Sequence, residues 1–149
     1  MGQSQSISTQ IDIAAPPFRV RSTFMNFENI PTYHKDWKIV PLKPNQSSQS
    51  LQPGDSVKVT MGGMSFLPVI NEISNDKFVW TGSLPFIFTG QHKFYFANSQ
   101  ATPGGTTFVQ QETFSGLLAF LMGEGWSMRT STIKGWRAFD ESLKRECEK

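Results

Sequence analysis

Two residues of this chain have the types and the spacing to do chemistry together: His92 and Glu112. An imidazole titrates near neutrality, and a carboxylate beside it favours its protonated form. Such a pair can move a proton in an enolisation, an aldol step or a dehydration. Only strand geometry can bring them together. His92, Phe94 and Phe96 point to one side of a strand, and Phe108, Gln110, Glu112 and Phe114 to one side of the next, because strand side chains alternate with period two. The link between them, Ala97 to Gly105, holds Asn98, Pro103 and Gly104-Gly105 and reads as a hairpin loop. Setting Phe96 opposite Phe108 predicts Phe94 opposite Gln110 and His92 opposite Glu112. A slip of one residue would put the pair on opposite faces. Without catalysis, the two groups line a pocket, satisfy each other inside the sheet, or face water.

Arg129 is the third candidate. It falls three residues after Trp126 and four before Ile133, on the buried-side stripe of a final helix. There it would clamp a carboxylate, phenolate or enolate. Otherwise it snorkels to solvent or pairs with Glu112. Trp37, Met61, Phe66, Trp80, Phe94 and Phe114 are the candidate ligand-lining side chains, with Met64 beside them; an ordinary core would use the same types. Tyr33, His34 and Asp36 precede Trp37 and serve either as polar ligand contacts or as exposed loop residues. His34 and His92 have no cysteine partner at metal-ligand spacing. No nucleophile elbow, phosphate loop or dinucleotide fingerprint is present. No metal or other cofactor is expected. Cys147 sits among charges near a helix end and is a poor catalytic candidate.

These residues need elements to hold them. Ile7, Thr9, Ile11 and Ile13 alternate with polar residues, a half-buried strand. Ala14-Ala15-Pro16-Pro17 ends it, and proline suits a first helical turn. Val20, Phe24 and Phe27 then recur at helical spacing, which predicts a short helix from Pro17 to about Met25. A second runs roughly from Phe27 to Tyr33. Trp37 to Leu42 reads as a strand and Lys43 to Gly54 as an exposed loop. Val57, Val59 and Met61 lead into a Gly62-Gly63 turn, and Met64 and Phe66 return from it. Pro68 marks an edge or a bulge. Phe78 and Trp80 share a strand face, and Leu84-Pro85-Phe86 turns into the His92 strand. Gly123-Glu124-Gly125 interrupts any helix before it. Trp126, Ile133, Trp136, Phe139 and Leu143 then form one helical stripe.

Length and composition limit what such a chain can be. Its 149 residues fit one domain with one core. With 38% hydrophobic and 17% charged residues it belongs with neither disordered chains nor membrane spans. A formal net charge of +2, without clustering, gives no footing for nucleic acid. Thirteen Phe and four Trp suit a core built around a cavity. One cysteine excludes an internal disulfide and fits a reducing compartment, and no secretory signal is evident. The expected location is cytoplasmic. Gly2 and Ser6 match a short myristoylation pattern, although Ile7 already starts a strand.

The order of elements predicts an α+β domain: a curved antiparallel sheet around one long C-terminal helix, with two short helices after the first strand. The chain resembles the START-like, or Bet v 1-like, superfamily in its polyketide cyclase/dehydrase and lipid-transport branch. The resemblance runs from about Ser6 to Glu148. It is carried by Ile11-Asp12-Ile13-Ala14-Ala15-Pro16, Trp37, Leu51-x-Pro-Gly54, Phe78-Val79-Trp80-Thr81-Gly82 and Gly90-Gln91-His92-Lys93-Phe94. Gly104-Gly105-Thr106-Thr107 and Glu112-Thr113-Phe114-Ser115-Gly116-Leu117-Leu118 add to it, with Phe139 and Leu143-Lys144 near the end. The resemblance implies a helix-grip fold with a cavity between sheet and helix. It carries no residue's role across. The first functional expectation is binding of a small hydrophobic or aromatic molecule. The second is a cofactor-independent cyclase, dehydratase or isomerase using His92, Glu112 and Arg129. The third is a protein-interaction module of the kind found in chaperone activators, which would need a surface rather than a cavity.

Overall fold

The structure, a computed structural model, describes residues 4–84 and 88–149. Gly2, Pro85 and Phe86 lie outside the described residues. The chain opens with β1 (Gln5–Ile13), α1 (Pro17–Met25), a 3-10 turn at Phe27–Asn29 and α2 (Ile30–Tyr33). Seven further strands follow: β2 (Trp37–Pro41), β3 (Val57–Met61), β4 (Met64–Phe66), β5 (Val69–Ile73), β6 (Lys77–Leu84), β7 (Phe88–Asn98) and β8 (Thr106–Ser115). A 3-10 turn at Ala119–Met122 leads into the long helix α3 (Ser127–Cys147).

The strands form two antiparallel ladders rather than one sheet. The larger has the order β1-β8-β7-β6-β5 and the smaller β2-β3-β4. A lone bridge between Ser56 and Val69 joins them. Pro68, without an amide hydrogen, precedes that junction, and the ladder shifts register between Ile70 and Glu72. Gly62 and Gly63 both take positive φ, 56° and 86°, as a two-residue turn between right-twisted strands requires. The central register is the predicted one: Phe96 pairs with Phe108, Phe94 with Gln110 and His92 with Glu112.

Helix α3 lies against the concave face of the large sheet, which is the helix-grip arrangement. Trp136, Phe139 and Leu143 are buried as their stripe predicts. Trp126 is not part of that stripe. It precedes the first turn of α3, is 47% exposed and meets Phe120 edge-on. Its side chain points away because the helical repeat starts only after it. Cys147 is buried despite the charges around it near the helix end. It is 3% exposed within the core, because α3 stays packed through its last turn, and burial raises its thiol pKa above the ordinary value. The loop before β3 is anchored rather than free: Leu51 is buried, and Ser48 bonds the Glu28 carboxylate through both its amide and its hydroxyl.

One side chain decides how much of the space between sheet and helix is solid. Phe24 of α1 is fully buried and meets Phe78, Phe94, Phe96, Phe108 and Phe139, at ring separations of 4.6 to 6.1 Å. Beside it Trp37 stacks flat on Phe139 at 3.9 Å. The half of the groove under α1 is therefore full. Phe24→Ala should lower the unfolding free energy by about 3–5 kcal/mol, the usual cost of emptying a tightly packed phenylalanine site. Denaturant unfolding at constant m-value checks this.

Candidate functional site

The other half of the groove is open. Here the facing residues are small: Gly82 on β6, Gly90 on β7, and Ser131 and Gly135 on α3. The space they leave is a cavity of ≈ 260 Å³. Its apolar walls are Trp37, Met61, Phe66, Phe88, Phe114 and Trp136, with Met122 and Met128 toward the start of α3. Met64, Met128 and Gly135 are exposed members of the lining, so the cavity opens between the β3–β4 turn and α3. Gly135 stands out within a helix, where glycine is unfavourable. A Cβ there would meet nothing within 4 Å, so packing in the free protein gives no reason for it.

Glu112 brings an ionisable group to this wall. Its Oε1 lies 3.3 Å from His92 Nδ1. Gly90 makes room for the carboxyl: a Cβ at that position would collide with Glu112 Oε2 and press on Phe114. His92 itself does not reach the cavity. Its ring is sandwiched between Phe94, 4.1 Å away, and Trp136, 4.5 Å away. Behind it the polar chain continues. His92 Nε2 is 2.9 Å from Gln110 Oε1, and Gln110 Nε2 donates to Asp140 Oδ1 at 2.7 Å. Thr9 Oγ1 donates to Asp140 Oδ2 at 2.8 Å. Five side chains from β1, β7, β8 and α3 thus connect the cavity wall to the far side of the core.

Electrostatics sets the state of this chain. Burial pushes the Glu112 carboxyl up to about 8. Burial pushes the His92 imidazole down to about 3, although the Gln110 contact opposes this. Asp140 is raised to about 6, again by burial, with its bonds from Gln110 and Thr9 acting the other way. All three shifts favour the uncharged form, the expected outcome where aromatic rings replace water.

The proposed site residues separate into three groups. Glu112, Trp37, Met61, Phe66 and Phe114 line the cavity. His92, Trp80 and Phe94 do not: they are buried in the packed half, where Phe24 and the His92–Trp136 stack cover the face that was expected to be open. Arg129 is also placed elsewhere. Its Nη1 donates to the carbonyl oxygens of Ser6 and Met122, at 3.0 and 2.9 Å. It ties the start of α3 to the edge strand β1, because two unpaired backbone acceptors lie within its reach. Tyr33, His34 and Asp36 are absent from the lining; His34 Nδ1 meets Ser142 Oγ at 2.9 Å. Gln110 and Asp140 had no assigned part. Gln110 was visible on the same strand face as Glu112. Asp140 falls four residues after Trp136, on the buried side of α3.

Among the described residues, no group of three His, Cys, Asp or Glu side chains is placed to hold a metal ion. No helix among them is long and apolar enough to cross a membrane.

The ionisation of Glu112 should be visible in stability. Between its ordinary value of 4.5 and about 8, the folded protein keeps a proton that the unfolded chain releases, so stability falls as pH rises. His92 acts in the opposite sense, but only between about 3 and its ordinary 6.5. Asp140 is half-titrated at about 6 in the folded protein and almost fully ionised one unit higher. The opposing effects of His92 and of His34, whose burial lowers it in the same way, also fade above their ordinary 6.5. From about pH 7 to 8 the Glu112 contribution therefore dominates and amounts to about 1 kcal/mol. Thermal unfolding across this range should show the decline, and Glu112→Gln should abolish it.

No family model matches the sequence, and no curated protein sequence does. Solved structures do match. A hypothetical protein of Helicobacter pylori superposes with TM-score 0.78 over 96% of this chain and 88% of that one, at 13% identity. Ara h 8.0201 matches with TM-score 0.70 and 14% identity, covering 97% of this chain and 98% of the other. The di-domain ARO/CYC protein BexL, from the BE-7585A biosynthetic pathway, gives TM-score 0.72 at 18% identity; 98% of this chain aligns with 50% of that one. With the two-ladder sheet wrapped on α3 and α1–α2 closing one end, these likenesses identify the chain as having the Bet v 1-like helix-grip fold.

Proposed function

We propose that this protein binds a small hydrophobic or aromatic molecule in the cavity between the sheet and the first half of α3. The observation that supports it most directly is the cavity itself: ≈ 260 Å³, apolar on most sides, with one carboxyl on its wall. Apolar walls supply affinity, and a single polar group supplies orientation. Gly135 adds a second argument. A helix-interior glycine that contacts nothing has a use if an occupant passes or sits against it. A cavity of this size also favours a pocket over a surface-interaction module.

A second reading is a cofactor-independent cyclase, dehydratase or isomerase acting on a polyketide-like or other natural-product intermediate. It is favoured by the Glu112 carboxyl, which meets the cavity on one side and His92 on the other. A neutral carboxylic acid at such a wall can donate a proton to a carbonyl oxygen as an enol forms. BexL, a structural neighbour, is described as an ARO/CYC protein. Conversion of the bound molecule on incubation separates this reading from simple binding.

Native mass spectrometry of the freshly purified protein should reveal a co-purified small molecule. The paired substitutions at Gly135 test the site. Gly135→Ala should stabilise the free protein by roughly 0.5–1 kcal/mol through helix propensity. Gly135→Leu should leave the fold intact and weaken binding of the co-purified molecule by about tenfold or more, measured by calorimetry. Unchanged affinity in Gly135→Leu would place the ligand elsewhere.

A further inference from the structure

We propose that Gln110 and Asp140 are positioning residues that hold Glu112 as an uncharged hydrogen-bond acceptor, so that the cavity selects a neutral apolar molecule bearing a hydroxyl over its carboxylate counterpart. The selectivity rests on the ligand-binding reading above. The positioning stands on geometry alone.

The argument starts at the helix. Asp140 Oδ1 is 2.7 Å from Gln110 Nε2, and the Trp136 carbonyl lies on the same side at 3.5 Å. Two acceptors on one side of an amide require its NH₂ there. The Gln110 oxygen therefore faces His92 Nε2 at 2.9 Å, and that nitrogen carries a hydrogen. The remaining ring nitrogen, Nδ1, faces Glu112 Oε1. One proton lies between them. An ion pair would need an imidazolium at His92, whose side chain is 1% exposed and stacked between Phe94 and Trp136, where a charge is costly. A neutral His92 with a bare Nδ1 would in turn set its lone pair against an ionised Glu112 oxygen. The proton rests on Glu112. Oε1 is then its hydroxyl, and Oε2, over Gly90, is a carbonyl oxygen that can only accept.

The surroundings agree from every element packed on the chain. β7 contributes His92 and Gly90, β8 contributes Gln110 and Phe114, and β1 sets Ile7 opposite Glu112 and Thr9 opposite Gln110. α3 contributes Trp136 and Asp140. Arg137 and Glu141 act on Asp140 from its own helix. Among the described residues no lysine, arginine or second carboxylate perturbs His92 or Glu112. The single negative charge of the relay sits at Asp140, remote from the cavity. A ligand hydroxyl donates to Oε2. A ligand carboxylate would press lone pairs on it and lose its own hydration.

The test uses the full chain with naphthol, naphthalene and naphthoate as probes, titrated by fluorescence at pH 7, and nitrogen-15 NMR of the histidines. In the wild type, His92 should show a protonated Nε2 and a bare Nδ1. Naphthol should bind more tightly than naphthalene, and about tenfold or more tightly than naphthoate. Glu112→Leu removes the acceptor and should bring naphthol affinity down to that of naphthalene. Gln110→Leu removes the Nε2 partner and should move the His92 hydrogen to Nδ1, which a merely structural role for Gln110 would not do. An imidazolium signature for His92 in the wild type, the same tautomer in Gln110→Leu, or an undiminished preference for naphthol over naphthalene in Glu112→Leu would each overturn the proposal. Binding of none of the probes would overturn the selectivity, while the ligand-binding reading stands or falls on the co-purified molecule and the NMR result decides the positioning.

Discussion

Everything about this molecule depends on how the gap between a curved sheet and a single helix is filled. A helix on a concave sheet leaves a groove too wide for ordinary aliphatic contacts to close. In one half Phe24 enters from α1 as a wedge and the aromatic rings of β6, β7, β8 and α3 close on it. In the other half no described residue fills the space as Phe24 does, and both walls carry glycine or serine. The boundary between the halves is the three-ring stack of Phe94, His92 and Trp136. Packing density, rather than any one polar group, decides where a molecule can sit.

That boundary explains why an ionisable histidine occurs inside an aromatic core. Stacked between two rings, His92 is flat enough to belong to the wall, yet it has two nitrogens in the plane to carry hydrogen bonds sideways. One meets the sheet's own glutamine and the other the cavity's carboxyl. A phenylalanine at the same place would pack as well but would leave Gln110 and Glu112 with unmet polar atoms, a cost of about 1–3 kcal/mol for each buried group. The polar chain satisfies its own members first, and only the last oxygen is left for an occupant.

The central pairing was read from the loop, by setting Phe96 opposite Phe108; alternation then excludes a one-residue slip, which would split the aromatic face, but not a slip of two. The helix stripe and the two short helices were equally legible from spacing. What spacing cannot show is which part of a face another element covers. Trp80 and Phe94 point to the concave side as read, but Phe24 lies one helix away in sequence and nothing in its own pattern says how deep it reaches. Arg129 was misplaced for a related reason: its helical phase is right, but a long guanidinium side chain follows the nearest free carbonyls, and those of Ser6 and Met122 are known only once β1 and the 3-10 turn are in place. Asp140 could have been found, as a charge in phase with Trp136 is a buried group in need of a partner.

The division of the strands into two ladders has a kinetic consequence. Among the described residues, the backbone joins β2-β3-β4 to the five-stranded sheet through the Ser56–Val69 bridge and the hydrogen bonds around it, with Phe66 packed across against Trp80 and Gly82. β3 is held by its buried Val57 and Val59 and by β2. So only the exposed turn and β4, Gly62 to Ser65, are placed to loosen while β1, β8, β7 and β6 stay paired, and their amides should exchange faster than those of β7. Met64, within that segment, is half exposed and borders the cavity. If the cavity takes the occupant proposed for it, one that bridges Met64 to α3 would stitch the two ladders together and slow its own escape.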